Sequence, residues 1–166
     1  PSISGFKKTN VRRDEGQHLQ NLFEPDSSYG GPGKYIFNKS SHMNERNILA
    51  NEVVAGKLFN QWSKYWDVSK DFLLEKSPPT IVRTRFMQKL FPNSFFIKLF
   101  RNPLAVSYAT KKWSKTDITS LLDHTLLGYE ILDKDTFHLK NHYSLKYEDF
   151  ISNPEIEDFA LKLETI

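Results

Sequence analysis

The sequence predicts a three-layer α/β domain built around a central parallel sheet. Three observations predict it. Apolar strand-like runs alternate with amphipathic stretches of helical length, and the connections between them are short. Two strand–helix junctions, Lys76-Ser77-Pro78 and Arg101-Asn102-Pro103, also share one pattern of cation, cap residue and proline. With 166 residues, 39% of them hydrophobic, the chain is long enough to bury a sizeable core, and 1–166 reads as a single domain.

The elements follow in order. Residues 1–43 read as irregular, and Asp26-Ser27-Ser28-Tyr29-Gly30-Gly31-Pro32-Gly33 is dense in turn formers. From Asn44 to about Trp62, Ile48, Val53, Ala55, Leu58, Phe59 and Trp62 recur at three- to four-residue steps, which predicts a helix. Phe72-Leu73-Leu74-Glu75 reads as a short strand, and Ser77-Pro78 as the cap and first position of a helix running to about Phe91, where Pro92-Asn93 stops it. Phe95 to Phe100 is the clearest strand. Asn102-Pro103 opens a helix to about Trp113, a longer helix covers Ile118 to Leu139, Tyr143 to Tyr147 reads as a strand, and Pro154 opens a last helix.

Composition excludes several function classes. The absence of cysteine removes disulfides, a thiol nucleophile and cysteine-ligated metal centres. A net charge of +3, with basic residues scattered in pairs such as Lys7-Lys8 and Lys111-Lys112, fits an anionic small ligand and predicts no nucleic-acid partner. No apolar run approaches the roughly 20 residues of a membrane span. The chain opens at Pro1 without a signal-peptide pattern and reads as a piece of a longer protein, so the compartment stays open. His138 and His142 have i, i+4 spacing but no accompanying carboxylate pattern, and no metal site is expected.

In an open parallel sheet, ligands collect at the carboxyl ends of strands. Lys76 and Arg101 stand at two such ends, each before a helix start whose amide groups and partial positive charge attract anions. The two junctions therefore predict a ligand with two separated phosphate or sulfate groups. A surface cation at a helix terminus is the plainer alternative for either residue alone.

Leu74-Glu75-Lys76-Ser77-Pro78-Pro79, Arg83-Thr84-Arg85-Phe86, Leu90-Phe91-Pro92-Asn93, Phe100-Arg101-Asn102-Pro103 and Lys146-Tyr147-Glu148-Asp149-Phe150, preceded by Asp14-Glu15-Gly16-Gln17, resemble the sulfotransferases that use 3′-phosphoadenosine 5′-phosphosulfate (PAPS). The branch most similar includes the protein-tyrosine sulfotransferases, and the match runs from about Asp14 to Phe150. The resemblance implies a P-loop-like fold and transfer of a sulfuryl group from PAPS to a hydroxyl acceptor (sugar, tyrosine or small alcohol), releasing 3′-phosphoadenosine 5′-phosphate (PAP), with no metal. It implies Glu15 as general base, with Asp14 as the neighbouring alternative, and Lys76 as the cation that neutralises developing charge. Arg101 would bind the 3′-phosphate. The family's serine eight residues on is Ala109 here, so Ser107 and Thr110 are the candidate substitutes. Tyr147 would lie near the adenosine, or else pack on the core.

The family's Gly/Ser/Thr-rich 5′-phosphosulfate loop is not found before Glu15, and its place is expected upstream of the chain. The compartment implied is the Golgi lumen for a eukaryotic relative and the cytoplasm for a bacterial one. Two alternatives stand beside this reading. One is a catalytically degenerate member that binds a glycan or protein through the Trp62–Trp66 surface. The other is a nucleotide-dependent phosphotransferase, for which no Walker-type loop is present. Trp62, Tyr65 and Trp66 are otherwise expected in the core, and Gly30–Gly33 forms either a lid or a turn.

Overall fold

A computed structural model describes residues 1–152. Helices alternate with parallel strands, as expected of an α/β chain. Strand β1 (Ile3–Ser4) pairs in parallel with β2 (Phe72–Leu73). Strand β3 (Phe96–Phe100) pairs in parallel with β4 (His142–Lys146), from Phe96 opposite His142 to Phe100 opposite Lys146. The described strands thus form two separate two-stranded ladders. Helix α3 (Pro103–Lys111) and helix α4 (Ile118–Thr136) lie in the connection between β3 and β4 and pack on each other.

Capping side chains set several starts. Asn102 accepts from the amides of Leu104 (3.0 Å) and Ala105 (3.3 Å), and Asp117 accepts from that of Ser120 (2.9 Å). Helix α1 covers Glu52–Trp62, eight residues shorter at its start than the periodicity implies. The reason is local competition. Asn44 and Asn47 fold their carbonyls onto the amides of Arg46 (2.9 Å) and Leu49 (3.0 Å), making turns where a helix would otherwise run, and Asn51 supplies the cap.

The helix expected from Pro78 to Phe91 is two pieces: a 3-10 turn at Pro78–Val82 and helix α2 at Thr84–Leu90. Tertiary contacts break it. The Val82 carbonyl is taken by the Met43 amide at 3.1 Å, and the buried Arg83 donates through Nε to the Ser41 carbonyl at 2.9 Å. Ser77 does not cap this turn. Its hydroxyl donates to Glu75 and accepts from the Gln17 amide instead. Helix α5 (Tyr147–Ser152) follows β4 directly, so Tyr147 is a helix start rather than a strand end, and the helix expected from Pro154 lies outside the described residues.

Leu58, Trp62, Phe86 and Leu90 close the main core from α1 and α2, with Leu19 and Met43 from the turn-rich segment. A second cluster sets Tyr35, Ile36 and Val82 against Ile81 and the α4 residues Leu127 and Ile131. Residues 16–43 therefore have little regular structure but pack as a wall of the domain. Gly33 makes that wall possible: its φ is +82°, and a Cβ there would stand 2.3 Å from a Leu121 methyl. Trp62 is in the core, its indole N–H donating to the Gly16 carbonyl at 2.9 Å, and Trp66 stacks on Phe6 with centroids 4.8 Å apart. The packing expectation for these aromatics holds.

Candidate active site

Glu15 sits at the end of a strained approach. Arg13 (φ 61°) and Asp14 (φ 49°) are consecutive left-handed residues, a conformation that costs a non-glycine residue roughly 1–2 kcal/mol. The turn they make sends the two acids in different directions. Asp14 is exposed and takes the Thr9 hydroxyl, whereas Glu15 is only 5% exposed. One carboxylate oxygen of Glu15 accepts from Lys76 Nζ at 3.2 Å, and the other accepts from Gln17 Nε2 at 2.7 Å. His18 Nε2 stands 3.8 Å from that second oxygen. Lys76 reaches Glu15 from 61 residues away, with a side chain that remains 61% exposed. Glu15 and Lys76 are thus brought together.

Glu15 opens onto a cleft of about 210 Å³. Its walls come from the turn-rich segment (Asp26, Gly33, Tyr35), from α3 and the residues after it (Thr110, Trp113), and from α4 (His124, Tyr129). At its mouth the Arg13 guanidinium lies over the Trp113 ring, 4.4 Å from the centroid. Thr110 lines this cleft. Ser107, one turn earlier, does not: it is fully buried, its hydroxyl donating to the Pro103 carbonyl at 2.7 Å.

Arg101 and Tyr147 form a second corner, where β3 and β4 end. The Arg101 guanidinium lies 4.7 Å from the centroid of the Tyr147 ring. The α3 amino end, however, is not a set of free amides. Asn102 caps Leu104 and Ala105, and the Asn102 amide itself donates to Glu148 Oε1 at 2.8 Å. That amide, with Arg101 behind it, holds the Glu148 carboxyl below its ordinary range. An anion at this corner therefore has the Arg101 side chain as its main attraction. Tyr129 joins the two regions. Its ring lines the cleft, and its hydroxyl donates to the Arg101 carbonyl (2.8 Å) and accepts from the Arg101 amide (3.0 Å).

A model of the sulfotransferase family matches residues 5–157. The chain belongs to the sulfotransferase family. No curated protein and no solved structure matches it. Among the described residues of this sulfotransferase-family chain, no helix is long and apolar enough to cross a membrane.

Sequence reasoning missed Asp26, His124 and Tyr129 as lining groups, and it quoted Gln17 without a role. Asp26 carried only a turn signal, and the other two lie on an ordinary helical face of α4. Gln17 was the legible one, since it closes the Asp14-Glu15-Gly16-Gln17 run. His124 is buried between Tyr35 and Phe37, with Nε2 accepting from the Ile36 amide at 3.3 Å. Burial pushes its pKa down to about 4, from an ordinary value of 6.5. As pH falls, the unfolded chain takes up this proton before the folded one. The stability contributed by neutral His124 is therefore complete above about pH 6.5 and is lost as pH drops towards 4, by up to roughly 3 kcal/mol. Urea midpoints at pH 7 and pH 5 should show the loss, and His124→Gln should shrink the difference. An equal loss between pH 7 and pH 5 in wild type and variant would contradict the assignment.

Proposed function

We propose that the protein transfers a sulfuryl group from PAPS to a hydroxyl acceptor, with Glu15 as general base and Lys76 as the cation that stabilises the transferring group. The observation that carries this reading is a buried carboxylate, paired with a lysine from a distant segment at the edge of a cleft, in a chain of the sulfotransferase family. As the acceptor oxygen bonds to sulfur, the bond from sulfur to the 5′-phosphate oxygen breaks, and PAP leaves with that electron pair. The acceptor proton passes to Glu15, because a neutral alcohol attacks poorly without a base. Lys76 neutralises Glu15 at rest, and its exposed side chain is free to follow the negative charge that spreads onto the sulfuryl and leaving oxygens.

For the donor, Arg101 binds the 3′-phosphate, with Tyr147 beside the adenosine and Thr110 or Ser107 as the hydroxyl partner. Both hydroxyls donate to backbone carbonyls, Ser107 to Pro103 and Thr110 to Val106, so either must turn to reach a phosphate, and Thr110, on the cleft wall, has the more open position. We read the fold as a three-layer, P-loop-like α/β domain covering 1–166, in which the separate β1–β2 and β3–β4 ladders are the described parts of the parallel sheet. The acceptor is a sugar, a tyrosine or a small alcohol.

Calorimetric titration with PAP tests the donor site. Arg101→Ala should weaken PAP binding by about ten- to a hundredfold, the worth of one or two hydrogen bonds between charged groups. Arg101→Lys should fall between, since a lysine cannot reproduce a bidentate contact. Equal affinities for wild type and Arg101→Ala would remove Arg101 from the site. Absence of PAP binding in the wild-type full-length protein would reject the donor assignment.

A further inference from the structure

The cleft beside Glu15 has an uneven stock of hydrogen-bonding groups. The hydroxyl protons along its walls are committed to backbone carbonyls: Tyr35 to Pro78 (3.1 Å), Thr110 to Val106 (2.9 Å), Thr125 to Leu121 (2.9 Å) and Tyr129 to Arg101 (2.8 Å). His124 is neutral and holds the Ile36 amide. The lining groups that remain to receive a ligand inside the cleft include two carboxylates, Glu15 and Asp26, while the cation on the lining, Arg13, lies over Trp113 at the mouth.

Asp26 has no part in the chemistry proposed above, yet it is only 8% exposed. The nearby Ser27 amide holds its pKa down a little, and its carboxylate has no side-chain hydrogen-bond partner among the described residues. Burial raises its pKa, His18 opposes that shift, and the charge of Glu15 adds to it, so the two acids lie close enough to feel each other. A single amide group fixes them in relation. Gln17 donates from Nε2 to Glu15 at 2.7 Å and accepts through Oε1 from the Asp26 backbone amide at 2.9 Å. A buried carboxylate short of donors is costly, and a ligand that supplies one offsets the cost.

We propose that Asp26 selects the acceptor, and that the acceptor carries a second hydroxyl or amino group within a few bonds of the hydroxyl that is sulfated. This rests on the sulfotransferase reading. A simple alcohol has one proton to donate, and Glu15 takes it. A polyol or amino alcohol has a second donor for Asp26, held by the Gln17 bridge at a fixed spacing from the first.

The test uses four acceptors of one ring size with the full-length protein: cyclohexanol, trans-cyclohexane-1,2-diol, cis-cyclohexane-1,3-diol and trans-2-aminocyclohexanol. With PAPS, the best two-donor acceptor should exceed cyclohexanol in kcat/KM by about ten- to a hundredfold. Asp26→Ala should bring that ratio towards one, and Asp26→Asn, which keeps one accepting oxygen, should retain part of it. An advantage of the amino alcohol over both diols assigns the second donor to nitrogen, and the reverse assigns it to oxygen. Sulfation without a two-donor preference, or with a preference untouched by Asp26→Ala, overturns the proposal and leaves the sulfotransferase reading standing. Saturation-transfer NMR of the same four compounds without PAPS reads the subsite independently of turnover. Binding of a two-donor compound that depends on Asp26, with no sulfated product from any acceptor, keeps the subsite and rejects the sulfotransferase reading. No two-donor preference in that binding measurement, again without product, rejects both.

Discussion

Glu15→Gln should lower kcat by about 10²- to 10⁴-fold in the full-length protein, the usual worth of a positioned general base. The substitution keeps the shape of the side chain and one accepting oxygen. Lys76 and Gln17 donate to different oxygens of Glu15, so in the variant one of them keeps a partner and the other faces the new NH2, and Lys76 loses its ion pair. What disappears is the capacity to accept a proton. PAP affinity should change little, because Arg101 and Tyr147 form a separate corner. Single-turnover kinetics with PAPS would separate the chemical step from binding. A kcat within threefold of wild type would exclude Glu15 as the base, and Asp14, exposed and bonded to Thr9, would then be next to examine.

The largest effect on stability is expected at Phe86. This ring is fully buried at the centre of the main core and meets Phe23 edge-on with centroids 5.6 Å apart. It touches the site only indirectly, through the turn-rich wall that Phe23 belongs to. Phe86→Ala should cost about 3–5 kcal/mol, combining lost transfer free energy with the cavity left behind. Phe86→Leu should cost much less, because it refills most of that volume. Chemical denaturation at constant pH measures both, and a loss below 1 kcal/mol for the alanine variant would show that the cluster repacks freely.

Strands β2 to β4 and helices α3 and α4 were legible because local pattern decides them, whereas β1 fell within the stretch read as irregular. The run from Phe95 to Phe100 places β3 within one residue, and the Asn-Pro start of α3 and the leucine spacing of α4 hold their elements. At α1 one local signal overrode another, and at the next helix a distant partner decided. The helix from Pro78 breaks at Arg83 because the Met43 amide, some forty residues earlier, claims the Val82 carbonyl that would continue it. The site divides in the same way. The junction pattern singled out Lys76 and Arg101 as candidates, and the family resemblance pointed to Glu15 beside Asp14. Periodicity gave no reason to expect that Glu15 meets Lys76, or that Ser107 faces inward while Thr110, one turn later, faces the cleft. Asp26 was hidden for a related reason: in sequence it is one more turn former, and only contacts from Gln17 and the surrounding wall make it a buried acid.

The placement of the tryptophans gives the molecule its own optical probes. There are three, and they occupy contrasting surroundings. Trp62 is almost sealed in the core, Trp66 leans on Phe6, and Trp113 is half open to solvent at the cleft mouth beneath Arg13. Emission from Trp62 belongs at the blue edge of the spectrum and should move only when the core comes apart. Emission from Trp113 belongs at the red edge, where it meets water and a guanidinium. A compound entering the cleft would therefore change the red side of the spectrum alone, and loss of the fold would change the blue side. Occupancy and unfolding can then be followed in one unlabelled sample.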